Sequence, residues 1–144
     1  MKKEVSIQQW YELVQQGLLC SVEIVLAGSS MQPLIRRNHD IVTIVPVNRP
    51  LRRGDVVLFR RSDGVYVVHR ICSIKKASCQ TLGDRCLRKD APISISDVLG
   101  LAEIVKKDGK SIFPNRGSLR ILGLLWLHTT PFRKYLISLY HALK

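Results

Sequence analysis

Residues 56–71 read Val56-Val57-Leu58-Phe59-Arg60-Arg61-Ser62-Asp63-Gly64-Val65-Tyr66-Val67-Val68-His69-Arg70-Ile71. Two runs rich in β-branched and aromatic residues flank a Ser-Asp-Gly turn, which is the local signature of a β-hairpin. Working outward, further strand-like runs fall at 19–27, 41–45, 79–83 and 99–105, with the hairpin arms themselves at 56–60 and 65–72. Lys107-Asp108-Gly109-Lys110 predicts a second tight turn. Pro46, Pro50 and Gly54 punctuate a loop that carries Arg49, Arg52 and Arg53. The chain is expected to be mainly β (α+β), a fold of hairpins framed by helices.

The framing helices come from a different periodicity. Ile7, Trp10, Tyr11, Leu13 and Val14 repeat at helical spacing among glutamines, and Gly17 is a natural stop, so a short N-terminal helix is expected within residues 1–18. Residues 118–128 are apolar nearly all round. After Pro131, the positions Phe132, Tyr135, Leu136, Leu139, Tyr140 and Leu143 form one helical stripe. Two readings of this C-terminal helical hairpin stand side by side. It packs its apolar face on the sheet, or it lies in the plane of an anionic membrane surface.

At 144 residues the chain suits one domain (1–144: helix to 18, β core 19–113, helices 118–144), large enough to fold without staples. A net charge of +12 points to anionic partners, whether nucleic acid, acidic lipid or acidic peptide. Cys20, Cys72, Cys79 and Cys86 form no CxxC pair, and the four histidines fall at no zinc spacing from them. Reduced thiols and no metal or cofactor are therefore expected. Polar residues among the first sixteen break any apolar signal core, and the longest apolar stretch, 121–127, is too short to span a bilayer. The expected place is the cytoplasm, with attachment at the inner face of the membrane left open.

Three groups suggest chemistry. Ser30 follows the first strand-like run in Gly28-Ser29-Ser30-Met31-Gln32-Pro33, His69 sits inside a strand, and Asp90 ends the charged loop Leu82-Gly83-Asp84-Arg85-Cys86-Leu87-Arg88-Lys89-Asp90. Serine, glycine and proline are ordinary turn residues, and a histidine among valines is commonly a hydrogen-bonded core residue. A half-buried imidazole needs a partner on each nitrogen, however, and Ser30 and Asp90 would supply both in the manner of a nucleophile, base and orienting carboxylate.

Taken in order, Gly28-Ser29-Ser30-Met31-Gln32-Pro33, Leu51-Arg52-Arg53-Gly54-Asp55-Val56-Val57-Leu58-Phe59, Val68-His69-Arg70-Ile71, Gly83-Asp84 with Asp90 six residues on, and Val98-Leu99-Gly100 resemble the type I signal peptidase family. That family shares a clan with the self-cleaving SOS repressors. The resemblance covers roughly residues 20–106 and is closest to the serine–histidine branch. It implies a signal-peptidase-like β-fold and a serine endopeptidase that cuts a leader-like peptide or preprotein after a small residue. In this role Ser30 is the nucleophile, His69 the general base and Asp90 the acidic partner. The resemblance also implies that Ser30 N–H and Ser29 serve the oxyanion. Asp84, Gly83 and Asp55 would be structural, and Met31, Pro33, Leu34 and Val68, with Ile35, would line the peptide groove.

Two departures from the family pattern are visible. Gly28 stands where many members carry a serine that helps the oxyanion, and no membrane-anchor segment precedes the first strand. The alternative is a catalytically weak or inactive module that binds peptide or a membrane surface on the same fold. A DNA-binding, self-cleaving regulator is not expected, because about 20 residues before the serine-bearing strand are too few for a helix-turn-helix.

Overall fold

The computed structural model describes residues 6–18 and 20–144. Residues 1–5 and residue 19, where the expected N-terminal segment and first strand begin, lie outside the described residues. Helix α1 (Ile7–Gln15) opens with a capping box. Ser6 Oγ accepts the Gln9 N–H, and the Gln9 side chain accepts the Ser6 N–H, so two otherwise unpaired donors are satisfied reciprocally. The Trp10 ring is buried under the sheet and donates to the Cys20 carbonyl at 2.9 Å.

Eight strands follow: β1 (Val22–Val25), β2 (Ile41–Pro46), β3 (Val56–Arg60), β4 (Tyr66–Ile74), β5 (Ser78–Leu82), β6 (Ile93–Ser94), β7 (Val98–Lys107) and β8 (Lys110–Ile112). They form one antiparallel sheet in the order β1-β2-β7-β3-β4-β5-β6, with β8 added to β7. The long β7 therefore closes back between β2 and β3. The expected hairpin is β3–β4, paired from Val56–Arg70 to Arg60–Tyr66 around Gly64 at φ 85°. The turn at Asp108 and Gly109 has both residues at positive φ and leads into β8. That three-residue strand and the two-residue β6 are too short to register as periodic runs.

Because β3 is central, both its faces are covered. Val56 and Leu58 join Trp10, Met31, Ile35, Val42, Ile44, Val68 and Leu99 in one apolar cluster. Val57 and Phe59 join Ile71, Cys79, Val98 and Leu101 in another, on the opposite side. The mainly β, α+β expectation is thus realised.

The first strand is shorter than its apolar run. Leu26 gives its carbonyl to the Asn38 N–H at 2.7 Å instead of to β2, which ends the pairing at Val25 and closes a loop over 26–38. Ser30 consequently lies not at a strand end but at the start of a helical turn, with Gln32 N–H on the Ser29 carbonyl and Ile35 N–H on the Met31 carbonyl.

At the C-terminus, α2 (Gly117–His128) and α3 (Arg133–Leu143) are joined by a short 3-10 turn at Thr130–Phe132. Helix α2 buries Gly123 and Leu127 on the sheet side. In α3 only Arg133 is buried, while Phe132, Tyr135, Leu136, Leu139, Tyr140 and Leu143 are all exposed. The stripe read from the sequence is there, but it faces away from the core. Among the described residues, no helix is long and apolar enough to cross a membrane.

Candidate active site

His69 sits in the middle of β4, opposite Val57 of β3. Strand alternation turns its ring to the face of Val67 and Ile71, 6.1 Å from the Phe59 ring centre. It is 7% exposed, so both ring nitrogens need protein partners, and both have them. His69 Nε2 lies 2.9 Å from Ser30 Oγ and His69 Nδ1 lies 2.6 Å from Asp90 Oδ2. Residues separated by 39 and 21 positions in the chain thus meet in one line, serine to histidine to aspartate.

The protonation pattern follows from the acid. Burial pushes the Asp90 carboxyl up, but the bonds from His69 and Thr81 outweigh it and hold the group below its ordinary value. An ionised carboxylate only accepts, so the Nδ1 proton is donated to Asp90. In the neutral imidazole this tautomer leaves the Nε2 lone pair to accept the Ser30 hydroxyl. The same Oδ2 atom also accepts Thr81 Oγ1–H at 2.6 Å, and the Asp90 N–H returns to the Thr81 carbonyl at 2.8 Å.

Ser30 is fixed from the other side by the Gly83–Cys86 turn. Arg85 N–H donates to the Ser30 carbonyl at 2.8 Å, and Cys86 N–H closes the turn on the Gly83 carbonyl at 2.9 Å. At Gly83 an added Cβ would sit 2.9 Å from the Ser30 carbonyl oxygen and 3.0 Å from His69 Nε2. Only glycine permits this approach. Asp84 takes no part in the line; it grips the buried Arg70 guanidinium through both oxygens at 2.9 Å and gives its carbonyl to Trp126 Nε1 at 2.7 Å. Asp55 likewise ties a loop together through Arg49, Arg120 and the Arg52 N–H.

The expected oxyanion groups face a different situation. The N–H groups of Ser29 and Ser30 have no backbone acceptor among the described residues. Gly28 is exposed, with nothing within 4 Å of a Cβ placed there.

The groove expectation needs correction. Met31, Ile35 and Val68 are at most 3% exposed, deep in the first cluster. The helical turn after Ser30 swings Met31 inward, where its Sδ accepts the Asp84 N–H at 3.4 Å, and alternation puts Val68 on the face opposite His69. These side chains hold the floor of the site and touch no open channel. Pro33 and Leu34 instead line a separate groove of about 730 Å3 against α2 and α3.

Sequence reasoning passed over Thr81, Trp126 and Arg133. Thr81 was legible in principle, since it pairs with Ile71 and so lies two residues along from His69 on the same face. Arg133 was not. Its guanidinium is buried, stacks 4.8 Å over Trp126, and donates to the carbonyls of Gly83, Cys86 and Trp126 at 3.0–3.1 Å. It reaches the turn that holds Ser30 from fifty residues away. Among the described residues, no group of three or more His, Cys, Asp or Glu side chains is placed to hold a metal ion.

Compared with known proteins, the chain matches no family model and no curated protein sequence.

Proposed function

We propose that the chain is a serine endopeptidase of signal-peptidase type, acting after a small residue in a leader-like peptide or preprotein. The observation that carries this reading is the unbroken Ser30–His69–Asp90 line, with 2.9 and 2.6 Å links. Ser30 Oγ attacks the peptide carbonyl carbon while His69 Nε2 takes its proton. Asp90, ionised on Nδ1, stabilises the imidazolium so formed. The N–H of Ser30, free of backbone partners, donates to the developing oxyanion, an interaction worth several kcal/mol when preorganised. The Nε2 proton then passes to the leaving amine as the carbon–nitrogen bond breaks. Water, deprotonated by the same nitrogen, releases the acyl group from Ser30.

The expected setting is the cytoplasm, with attachment at the inner face of the membrane left open, and with no cofactor and no specific nucleic acid partner. A second reading, a weak or inactive peptide-binding module, draws on Gly28, which leaves the oxyanion without the extra hydroxyl that many family members carry there. Digestion of a peptide library, read by mass spectrometry, separates the two. Cleavage after small residues by the native protein and none by Ser30→Ala is the expected result. No Ser30-dependent product from folded protein selects the binding module.

A further inference from the structure

Among the described residues, nine of the seventeen exposed large hydrophobic side chains fall between Ile121 and Leu143, in α2, α3 and the turn between them. Helix α3 has 11 residues and buries only Arg133. Helices this short are marginal in water and usually depend on tertiary packing of their apolar face; here Tyr135, Leu139 and Leu143 of that face stay exposed. Leu122 of α2 and Leu136 and Tyr140 of α3 border a groove of about 730 Å3 that Pro33 and Leu34 also line, while Ile121, Leu125, Phe132, Leu139 and Leu143 are exposed outside it, an apolar face and not scattered side chains.

The charge around this surface indicates what covers it. No acidic residue follows Asp108, while Lys110, Arg116, Arg120, Arg133, Lys134 and Lys144 do. The two acids that border the groove are already paired, Asp84 with Arg70 and Asp108 with Arg36. The Lys134 and Lys144 ammonium groups lie over the Tyr135 and Tyr140 rings, 4.9 and 5.5 Å from their centres, cations held on aromatic faces. Tyrosine and lysine together at the rim of an apolar face suit the boundary between acyl chains and headgroups. A second copy would bring two surfaces of the same sign together, at a net charge of +12 per chain.

We propose that the outer face of α2 and α3 is a docking surface for an anionic lipid bilayer, with both helices in the plane of the interface. The proposal stands on the helical hairpin alone and does not require the peptidase reading. It is tested by flotation of the full chain with vesicles of phosphatidylcholine alone and with about one third phosphatidylglycerol, at low and high salt. Binding to the anionic vesicles only, weakened about tenfold or more at high salt, is the expected result. Leu139→Glu and Leu143→Glu, both at exposed positions, should abolish it while circular dichroism and thermal unfolding stay native. Native protein left unbound by anionic vesicles overturns the proposal, as does equal binding by both variants. So does a dimer in sedimentation that both variants dissociate, since the occupant is then a second copy.

Discussion

Asp90 Oδ2 accepts two bonds of 2.6 Å, from His69 and from Thr81, and each carries a separable prediction. Asp90→Asn replaces an acceptor with an amide that favours the other tautomer of His69, leaving a proton on Nε2 facing Ser30. Its kcat should drop by about a thousandfold or more with little change in KM. Thr81→Val removes one bond, worth about 1 kcal/mol, so kcat should fall roughly tenfold at most, and Thr81→Ser should restore it. Gly83→Ala forces a methyl against the Ser30 carbonyl and His69 Nε2. Steady-state kinetics should show activity lost while circular dichroism stays native. Gly28 has the opposite character: space is open around it, so Gly28→Ser should fold normally and raise kcat by supplying a second donor. A Gly28→Ser protein with lower kcat would mean the oxyanion lies elsewhere.

The C-terminal hairpin is tied to the site through the Gly83–Cys86 turn, by Trp126 on the Asp84 carbonyl, by His141 on Arg85 and most extensively by Arg133. Arg133 spends its terminal nitrogens on the carbonyls of Gly83, Cys86 and Trp126, and Gly83–Cys86 is the turn that holds the Ser30 backbone. Burial pushes the pKa of this guanidinium down, opposed by the Asp84 carboxylate. Arg133→Met should remove three hydrogen bonds, leave the Cys86 carbonyl without its donor and cost about 2–4 kcal/mol, seen as a lower midpoint in urea unfolding. It should also lower kcat, although Arg133 touches none of Ser30, His69 or Asp90. This coupling was invisible in the sequence, where an arginine at the start of a helix reads as a solvated charge. The hairpin β3–β4 and helix α1 were legible almost to the residue because turn chemistry and capping are local. Strand β1 was overread because an apolar run does not reveal that the Leu26 carbonyl goes to Asn38. The facing of α3 was undecidable for a similar reason: its stripe is equally apolar whether core or solvent lies beyond it.

For the molecule as a whole, buried acids set the response to pH. Asp40 is fully buried. Burial pushes its carboxyl up, but bonds from Arg36 and Lys107 outweigh this and hold it far below the ordinary range. Asp90 is lowered in the same sense. A depressed native pKa means that the unfolded chain binds protons more readily in acid. The stabilisation is complete above the ordinary carboxylate range and is lost as pH falls through the native values. The Tm should be nearly level from pH 7 to about 5 and fall steadily below about 4. Asp40→Asn should have a lower Tm at pH 7 and a shallower acid slope in the same scans. The order of the sheet, with β7 between β2 and β3, had no local signal at all. The meeting of Ser30, His69 and Asp90 was expected from motif order, yet it depends on the turn at 83–86 and on Thr81, which no motif names.

The reactivity of Ser30 can be measured without a substrate. Native protein is treated with a serine-directed fluorophosphonate, and the adduct is mapped by mass spectrometry beside His69→Ala and Ser29→Ala. An adduct is expected on Ser30 in the native protein and in Ser29→Ala, and none in folded His69→Ala. An unlabelled Ser30 in native, folded protein, or labelling that persists without His69, would contradict it.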